Sequence, residues 1–374
     1  MARTAGEKGL TLLAGPQALD LIRDGGLSAA SVQTILGAAG GPKWLVLVGL
    51  DRAIFFSWLS RPATPVELIG SSIGAWRFAA VAQGSRAANA HEALREAYTC
   101  QTYDEKPSPA DITDEAARIL DEYLTDDGVR SILANPSFYL SVLSVRGRGS
   151  FSTDKRSVVA TGMFLAGTAN VFSRNNLGLF FVRVVFSDPR NGGPGSTATA
   201  FMDGPIPSQR VALTADNLRA AILASGSIPM VMTPTVDISG APDGYYWDGG
   251  LVDYHVTIPD SPGVRSDGIV LFPHYTDRII PGWLDKHLPW RAPNPADLGR
   301  TLLVAPSREF VARLPYGKIP DRGDFKRFYK NDRERIAYWE RTTAEGLRLG
   351  DEFLELVESG KIREKVRAFS APGT

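Results

Sequence analysis

Val66-Glu67-Leu68-Ile69-Gly70-Ser71-Ser72-Ile73-Gly74-Ala75-Trp76-Arg77-Phe78-Ala79-Ala80-Val81-Ala82 is the stretch that decides the fold. Val66–Ile69 reads as a short apolar strand and Ala75–Ala82 as a helix, with a glycine-bounded turn between them. Upstream, Ser31–Leu36 is a second strand-like run, with Val32, Thr34 and Ile35, and it runs into Gly37-Ala38-Ala39-Gly40-Gly41. Pro42 then stands at a first helical position, where proline is tolerated best, and Lys43–Trp58 is expected to continue as a buried helix. Two strand–glycine turn–helix units in succession imply parallel strands with right-handed crossovers, hence an α/β sheet.

Working outward, Gln17–Arg23 reads as a short helix, and His91–Tyr103 and Asp114–Tyr123 as surface helices. Phe138–Val145 is strand-like, and Leu179–Phe186 is apolar almost throughout, as a central strand covered on both faces would be. Asp188–Thr197, rich in Gly, Pro and Asn, is expected to be a mobile surface loop. Asp216–Ala224 reads as a helix with Asp216 near its N-cap, and Tyr245–Trp247 as a short strand leading into Asp248-Gly249-Gly250. Gly268–Phe272 is another apolar strand, and Asp324–Arg367 has Arg, Glu and Leu at helical spacing. Without a repeat or a composition break, the expectation is a single domain over 1–374. Its motif-bearing core covers 33–255 and a helical C-terminal extension covers 324–370.

Composition narrows the function. Lys plus Arg and Asp plus Glu both number 41, so no global field attracts nucleic acid or an anionic membrane. Cys100 is the one cysteine, so no intramolecular disulfide can form, which suits a cytoplasmic protein. Met1–Gly25 lacks the continuous apolar run of a signal peptide, and the runs Leu45–Leu50 and Gly178–Phe186 are too short to span a bilayer. The expectation is a protein attached to a membrane peripherally at most. Ile279–Trp290, with two tryptophans and cations, has a composition that suits a membrane edge, but its two prolines forbid a long regular helix and favour packing onto the core or against a partner subunit. Four histidines and one cysteine argue against a zinc cluster, and no acidic loop of the EF-hand kind is present, so no cofactor or metal is expected.

Three constellations carry chemistry. Gly70-Ser71-Ser72-Ile73-Gly74 has the form of a nucleophile elbow, where a serine on a strained strand-to-helix turn needs small neighbours two residues before and after it. Only Ser72 lies midway between Gly70 and Gly74. Gly40-Gly41-Pro42-Lys43 offers glycine amides at a helix N-terminus, which can hold an oxyanion, with Lys43 one residue into the helix. A phosphate site is poorly matched, since neither a P-loop nor a dinucleotide-binding glycine pattern is complete. In Asp248-Gly249-Gly250 a carboxylate at a strand end can be approached closely by another backbone and can take a hydroxyl proton. Each motif also has a plain structural reading, as a tight βα turn or an Asp-Gly turn.

In this order the three resemble the patatin-like phospholipase family over about residues 33–255. The family's glycine-rich oxyanion motif looks like Ala39-Gly40-Gly41-Pro42-Lys43-Trp44, its Gly-x-Ser-x-Gly elbow matches Gly70–Gly74, and its Asp-Gly-[Gly/Ala] matches Asp248–Gly250. Ala224-Ser225-Gly226-Ser227-Ile228-Pro229 is similar to the Ala-Ser-x-x-x-Pro segment that precedes the family's aspartate. The resemblance implies a three-layer α/β/α sandwich with a mainly parallel central sheet. It also implies a Ser72–Asp248 dyad working through an acyl-enzyme, with an acyl lipid or phospholipid as substrate. Ala39 and Trp44 depart from the family, which has glycine there; Trp44 either fills the acyl pocket or packs under the helix.

Two alternatives remain at this stage. A His-dependent esterase or thioesterase would use His274, which fits the chain order serine–acid–histidine, or His255, seven residues after Asp248. His91 and His287 carry no motif and read as surface residues. The other alternative is a catalytically weak member of the fold that binds lipid or a partner protein.

Overall fold

Strands are assigned within residues 9–103, 106–191, 196–260 and 268–369, the part of the chain that the computed structural model describes. They are β1 (Leu10–Ala14), β2 (Val32–Gly37), β3 (Val66–Ser71), β4 (Phe138–Gly147), β5 (Phe181–Ser187), β6 (Ser208–Ala212), β7 (Thr235–Val236), β8 (Tyr245–Asp248), β9 (Ile269–Pro273), β10 (Thr301–Pro306) and β11 (Arg367–Ala368). All belong to one mixed sheet in the order β11-β1-β10-β9-β2-β3-β4-β5-β6, with β8 on β4 and β7 on β8. From β10 through β9, β2 and β3 to β4 every neighbouring pair is parallel. These strands are buried on nearly every residue, because helices cover both faces in a three-layer α/β/α arrangement.

β4 explains how two distant motifs meet. On one edge it pairs with β5 along Ser141–Gly147. On the other edge it is shared: β3 takes Phe138–Leu143, ending with Ser71 opposite Leu143, and β8 takes Ser144–Arg146, with Asp248 opposite Ser144. The carboxyl end of β3 and the end of β8 therefore abut along one strand edge. Ser72 and Asp248 are the residues that abut there.

The helix Ile73–Val81 leaves β3 with no linker and lies against β2. Its close approach depends on two glycines facing each other. A Cβ on Gly74 would stand 2.2 Å from the Gly37 carbonyl oxygen. Gly74→Ala is expected to lower stability by about 2 kcal/mol, since backbone rather than a flexible side chain would have to move. Denaturant midpoints of the two proteins check this, and equal midpoints would show that the helix can shift freely.

Several expectations need correction. Lys43–Trp58 is no uniform α-helix: Gly41–Leu47 winds as a 3-10 helix, Val48–Ala53 as α and Ile54–Trp58 as a π turn. It packs on the long helix Asp332–Glu358 so tightly that a Cβ on Gly49 would lie 2.2 Å from the Gly346 carbonyl. His91 is buried rather than on the surface, because the core carboxylate of Asp51 needs donors: Arg77 Nε lies at 2.9 Å and His91 Nε2 at 3.2 Å. His287 is exposed, as expected. The helix after β6 runs over Leu218–Gly226 with Asn217, not Asp216, at its N-cap. The helix Arg156–Phe172 had no counterpart in the sequence reading. Of the expected loop 188–197, residues 192–195 lie outside the described residues, and Pro189–Asn191 forms a 3-10 turn.

Candidate active site

Ser72 has φ 53° and ψ −129°, a conformation that L-residues rarely adopt and that the elbow imposes. The strain is held from two sides. The Ser72 amide donates to Ser225 Oγ at 2.8 Å, and the Ser225 hydroxyl donates to the Leu143 carbonyl at 2.6 Å, tying the elbow to β4. Gly70 leaves room for the turn, since a Cβ there would come within 2.5 Å of the Ala75 nitrogen. Ser225 is marked in the sequence only through the Ala-Ser-x-x-x-Pro resemblance; its grip on the Ser72 amide is not.

The Ser72 hydroxyl donates to Asp248 Oδ2 at 2.8 Å across 176 residues of chain. The other carboxylate oxygen, Oδ1, accepts the Gly250 amide at 2.6 Å, and the Asp248 amide donates to the Ser227 carbonyl. The carboxylate is thus oriented toward Ser72 by its own turn. Burial pushes Asp248 up to about 6, against the lowering effects of the Gly250 and Ser72 hydrogen bonds and the charges of Arg322 and Lys286. A carboxylate near 6 is a stronger base than one at its ordinary value and is still mostly ionised at neutral pH.

Gly40 and Gly41 lie beside the dyad in a cleft of about 260 Å³, together with Lys43, Ser72, Asp248 and Gly250. Gly41 takes φ 56° at the start of the 3-10 helix, where amides have no carbonyl one turn back to donate to. Gly40 is required by its neighbour, since a Cβ would press within 2.7 Å of the Tyr275 ring. Ala39, the first departure from the family pattern, is accommodated: its amide donates to the Tyr254 carbonyl and its carbonyl accepts the Tyr275 hydroxyl at 2.6 Å. Trp44, the second, is buried edge-on against His91 and Tyr98 and does not line the cleft. Gly70, Gly74 and Gly249 also stay out of the cleft; they serve backbone packing, Gly249 against the Leu143 carbonyl.

The histidines support the loop instead of the dyad. His255 Nδ1 accepts the Ile280 amide at 2.9 Å, so its proton sits on Nε2, which donates to the Tyr275 oxygen at 2.8 Å. Tyr275 passes its own proton to the Ala39 carbonyl, so the chain Ile280–His255–Tyr275–Ala39 braces the glycine loop from beneath. His274 contacts His255 edge-on at 4.2 Å and bonds Thr276. Burial holds both rings neutral, with His274 pushed down to about 3. Among the hydrogen bonds of the described residues, neither reaches Ser72 or Asp248.

Three cations border the cleft: Lys43, expected there with the glycine loop, and Lys286 and Arg322, for which no motif gives a site role. Lys43 lies 3.4 Å from the Tyr254 hydroxyl, Lys286 sits 4.0 Å over the Tyr254 ring, and Arg322 enters from the C-terminal part. Burial alone would raise the Tyr254 phenol, but the charges of Lys43 and Lys286 carry it below its ordinary value. Lys286 is itself lowered, chiefly by burial. Met163, Leu251 and Trp283 supply an apolar wall. Trp283 and Lys286 belong to the Ile279–Trp290 segment, which therefore divides between cleft lining and, at Trp290, an exposed ring. No motif signalled Arg322, which arrives from a turn far along the chain.

Comparison with known proteins identifies the family. The family model described as patatin-like phospholipase matches residues 59–257, a span that includes the elbow, Ser225 and Asp248 and begins after the glycine-rich loop. No curated protein matches the chain. Among solved structures, human GIVD cytosolic phospholipase A2 is similar with a TM-score of 0.41 and 13% identity, over 93% of this chain and 61% of that one. VipD from Legionella pneumophila is similar with a TM-score of 0.32 and 12% identity, over 73% of this chain and 55% of that one. The chain thus spans less than two thirds of the length of either. With more than half of its length matched by the family model, the chain belongs to the patatin-like phospholipase family.

Proposed function

We propose that the chain hydrolyses carboxylic esters of acyl lipids through an acyl-enzyme on Ser72. The observation that carries this reading is the 2.8 Å bond from the Ser72 hydroxyl to a buried, oriented carboxylate inside an apolar-walled cleft. Asp248 takes the hydroxyl proton as Ser72 Oγ attacks the ester carbonyl carbon. The Gly40 and Gly41 amides receive the oxygen that becomes negative. Collapse breaks the ester C–O bond, and Asp248 returns the proton to the departing alkoxide. Water then attacks the acyl-enzyme with Asp248 again as base, which releases the fatty acid and restores the Ser72 hydroxyl. Lys43, Lys286 and Arg322 favour a substrate with an anionic headgroup at the cleft rim, and Met163 and Trp283 favour an acyl chain within it. In this reading the protein works in the cytoplasm on lipid it meets at a membrane surface.

A serine-directed fluorophosphonate tests the proposal directly. Labelling is expected at Ser72, located by mass spectrometry, and label found elsewhere or nowhere would refute the reading. The pH profile gives a second test. Because the base must be ionised, kcat/KM is expected to fall on the acid side with a midpoint near pH 6. Arg322 holds the carboxylate down, so Arg322→Gln is expected to move that midpoint upward. An unmoved limb would show that another group titrates.

A further inference from the structure

A surface helix ordinarily turns charged residues to water, and the helix Arg156–Phe172 does not. Its inner side packs through Val159, Gly162, Ala166 and Asn170. No residue from Ser157 to Phe172 carries a charge, so everything the helix exposes over that length is uncharged. Five exposed large hydrophobics lie on it, Val158, Phe164, Leu165, Val171 and Phe172, of only twelve among the described residues. Phe164 is 73% exposed and Phe172 83%. Trp290, 66% exposed, extends the patch, because the adjoining Arg291 guanidinium donates to the Asn170 carbonyl at the end of the same helix. Leu179, just beyond the helix, is exposed as well.

Two further observations identify what covers this face. The patch is continuous with the cleft: Met163, the neighbour of Phe164, lines the same cavity as Ser72, and a Cβ on Gly167 would lie 3.9 Å from Leu284, beside the cleft residue Trp283. The approach to the helix is cationic: Arg148, Lys155 and Arg156 are exposed there beside a single acid, Asp154, whereas Arg174 beyond its far end is turned inward to Asp253 and Asp285. Apolar side chains around an uncharged helix face, edged by cations, match the boundary of an anionic bilayer, where aromatic rings and aliphatic side chains enter between headgroups. No helix among the described residues is long and apolar enough to cross a membrane, so the contact is made by lying on the surface.

We infer that the helix Arg156–Phe172, with Trp290, is the face by which this protein seats itself on a lipid surface, setting the cleft at the boundary from which an acyl chain enters. The choice of lipid as the occupant rests on the proposed hydrolase reading. The test therefore separates binding from turnover. Chains carrying Ser72→Ala, with and without Phe164→Ser and Phe172→Ser, are sedimented with phosphatidylcholine vesicles containing or lacking phosphatidylglycerol. Loss of both rings is expected to weaken vesicle binding by roughly 100-fold, from the apolar area they bury. Binding is expected to be tighter with phosphatidylglycerol. On the Ser72 chain the same pair is expected to leave turnover of a monomeric water-soluble ester unchanged while slowing turnover of vesicle lipid. Equal vesicle binding by both chains, or no binding by either, overturns the inference. So does a dimer in light scattering that the double substitution dissolves, since the face would then be covered by a second copy. Vesicle binding that depends on the two rings, in a protein that hydrolyses no ester, would leave the docking face standing and refute the hydrolase reading alone.

Discussion

Ser72→Ala is expected to reduce turnover of p-nitrophenyl acyl esters by about 10³-fold or more and to abolish fluorophosphonate labelling, with the fold intact. The substitution removes one oxygen and nothing that supports the elbow. Ser225 grips the Ser72 backbone amide, not its side chain, and Gly70 and Gly74 make the space for the turn. Alanine has no greater difficulty than serine at φ 53°, so the strain of the turn is unchanged. Unaltered circular dichroism with lost turnover is the expected pair of results. Retained turnover would remove Ser72 from the mechanism, and with it the reading of the cleft.

Asp248→Asn is expected to reduce turnover by about 10³-fold and at the same time to stabilise the protein. Asparagine keeps the shape: its oxygen can accept the Gly250 amide and its nitrogen can donate to Ser72 Oγ, but it cannot take a proton. The stability effect follows from linkage. Burial raises Asp248 from 3.8 to about 6 in the folded chain, so the folded state holds this proton more tightly than the unfolded state does. Stability is therefore lost as pH rises from about 4 to about 6, and above that range the ionised carboxylate costs up to about 3 kcal/mol. The neutral amide escapes the cost. Denaturant midpoints should favour Asp248→Asn at pH 8, and the advantage should vanish at pH 4. A variant that is inactive but less stable at pH 8 would mean that the carboxylate's hydrogen bonds outweigh its desolvation. A variant that keeps near-normal labelling at Ser72 would make Asp248 a turn residue and send the search for the base elsewhere.

How much of this could be read from the chain depends on how local the physics is. The elbow was legible because its parts are adjacent: an apolar strand, a serine between two glycines, and a helix free of breakers. β3 and the helix Ile73–Val81 stand within two residues of where their patterns put them. The same holds for β8 and the turn at Asp248-Gly249-Gly250. The helix Arg156–Phe172 was illegible for the opposite reason. Helical periodicity is read from alternation of apolar and charged faces, and here the face toward water is as uncharged as the face toward the core. His91 was misplaced because an isolated histidine in a polar-looking helix gives no sign of Asp51, forty residues earlier, waiting in the core for a donor.

The sequence by itself determined the local parts: a strained serine, glycine amides at a helix start and an aspartate at a strand end, each set by the backbone demands of a few consecutive residues. Only the tertiary structure brings them together in one cleft. Ser72 meets Asp248 because β3 and β8 divide one edge of β4 between them, a pairing made by strands with no sequence mark of their partnership. The cleft's cations Lys286 and Arg322 and its wall residue Met163 arrive from three separate segments. The basicity of Asp248 was likewise undetermined, because a carboxylate's affinity for its proton is set by the water it loses and the charges around it. Desolvation and long-range packing exist only once the chain has closed on itself.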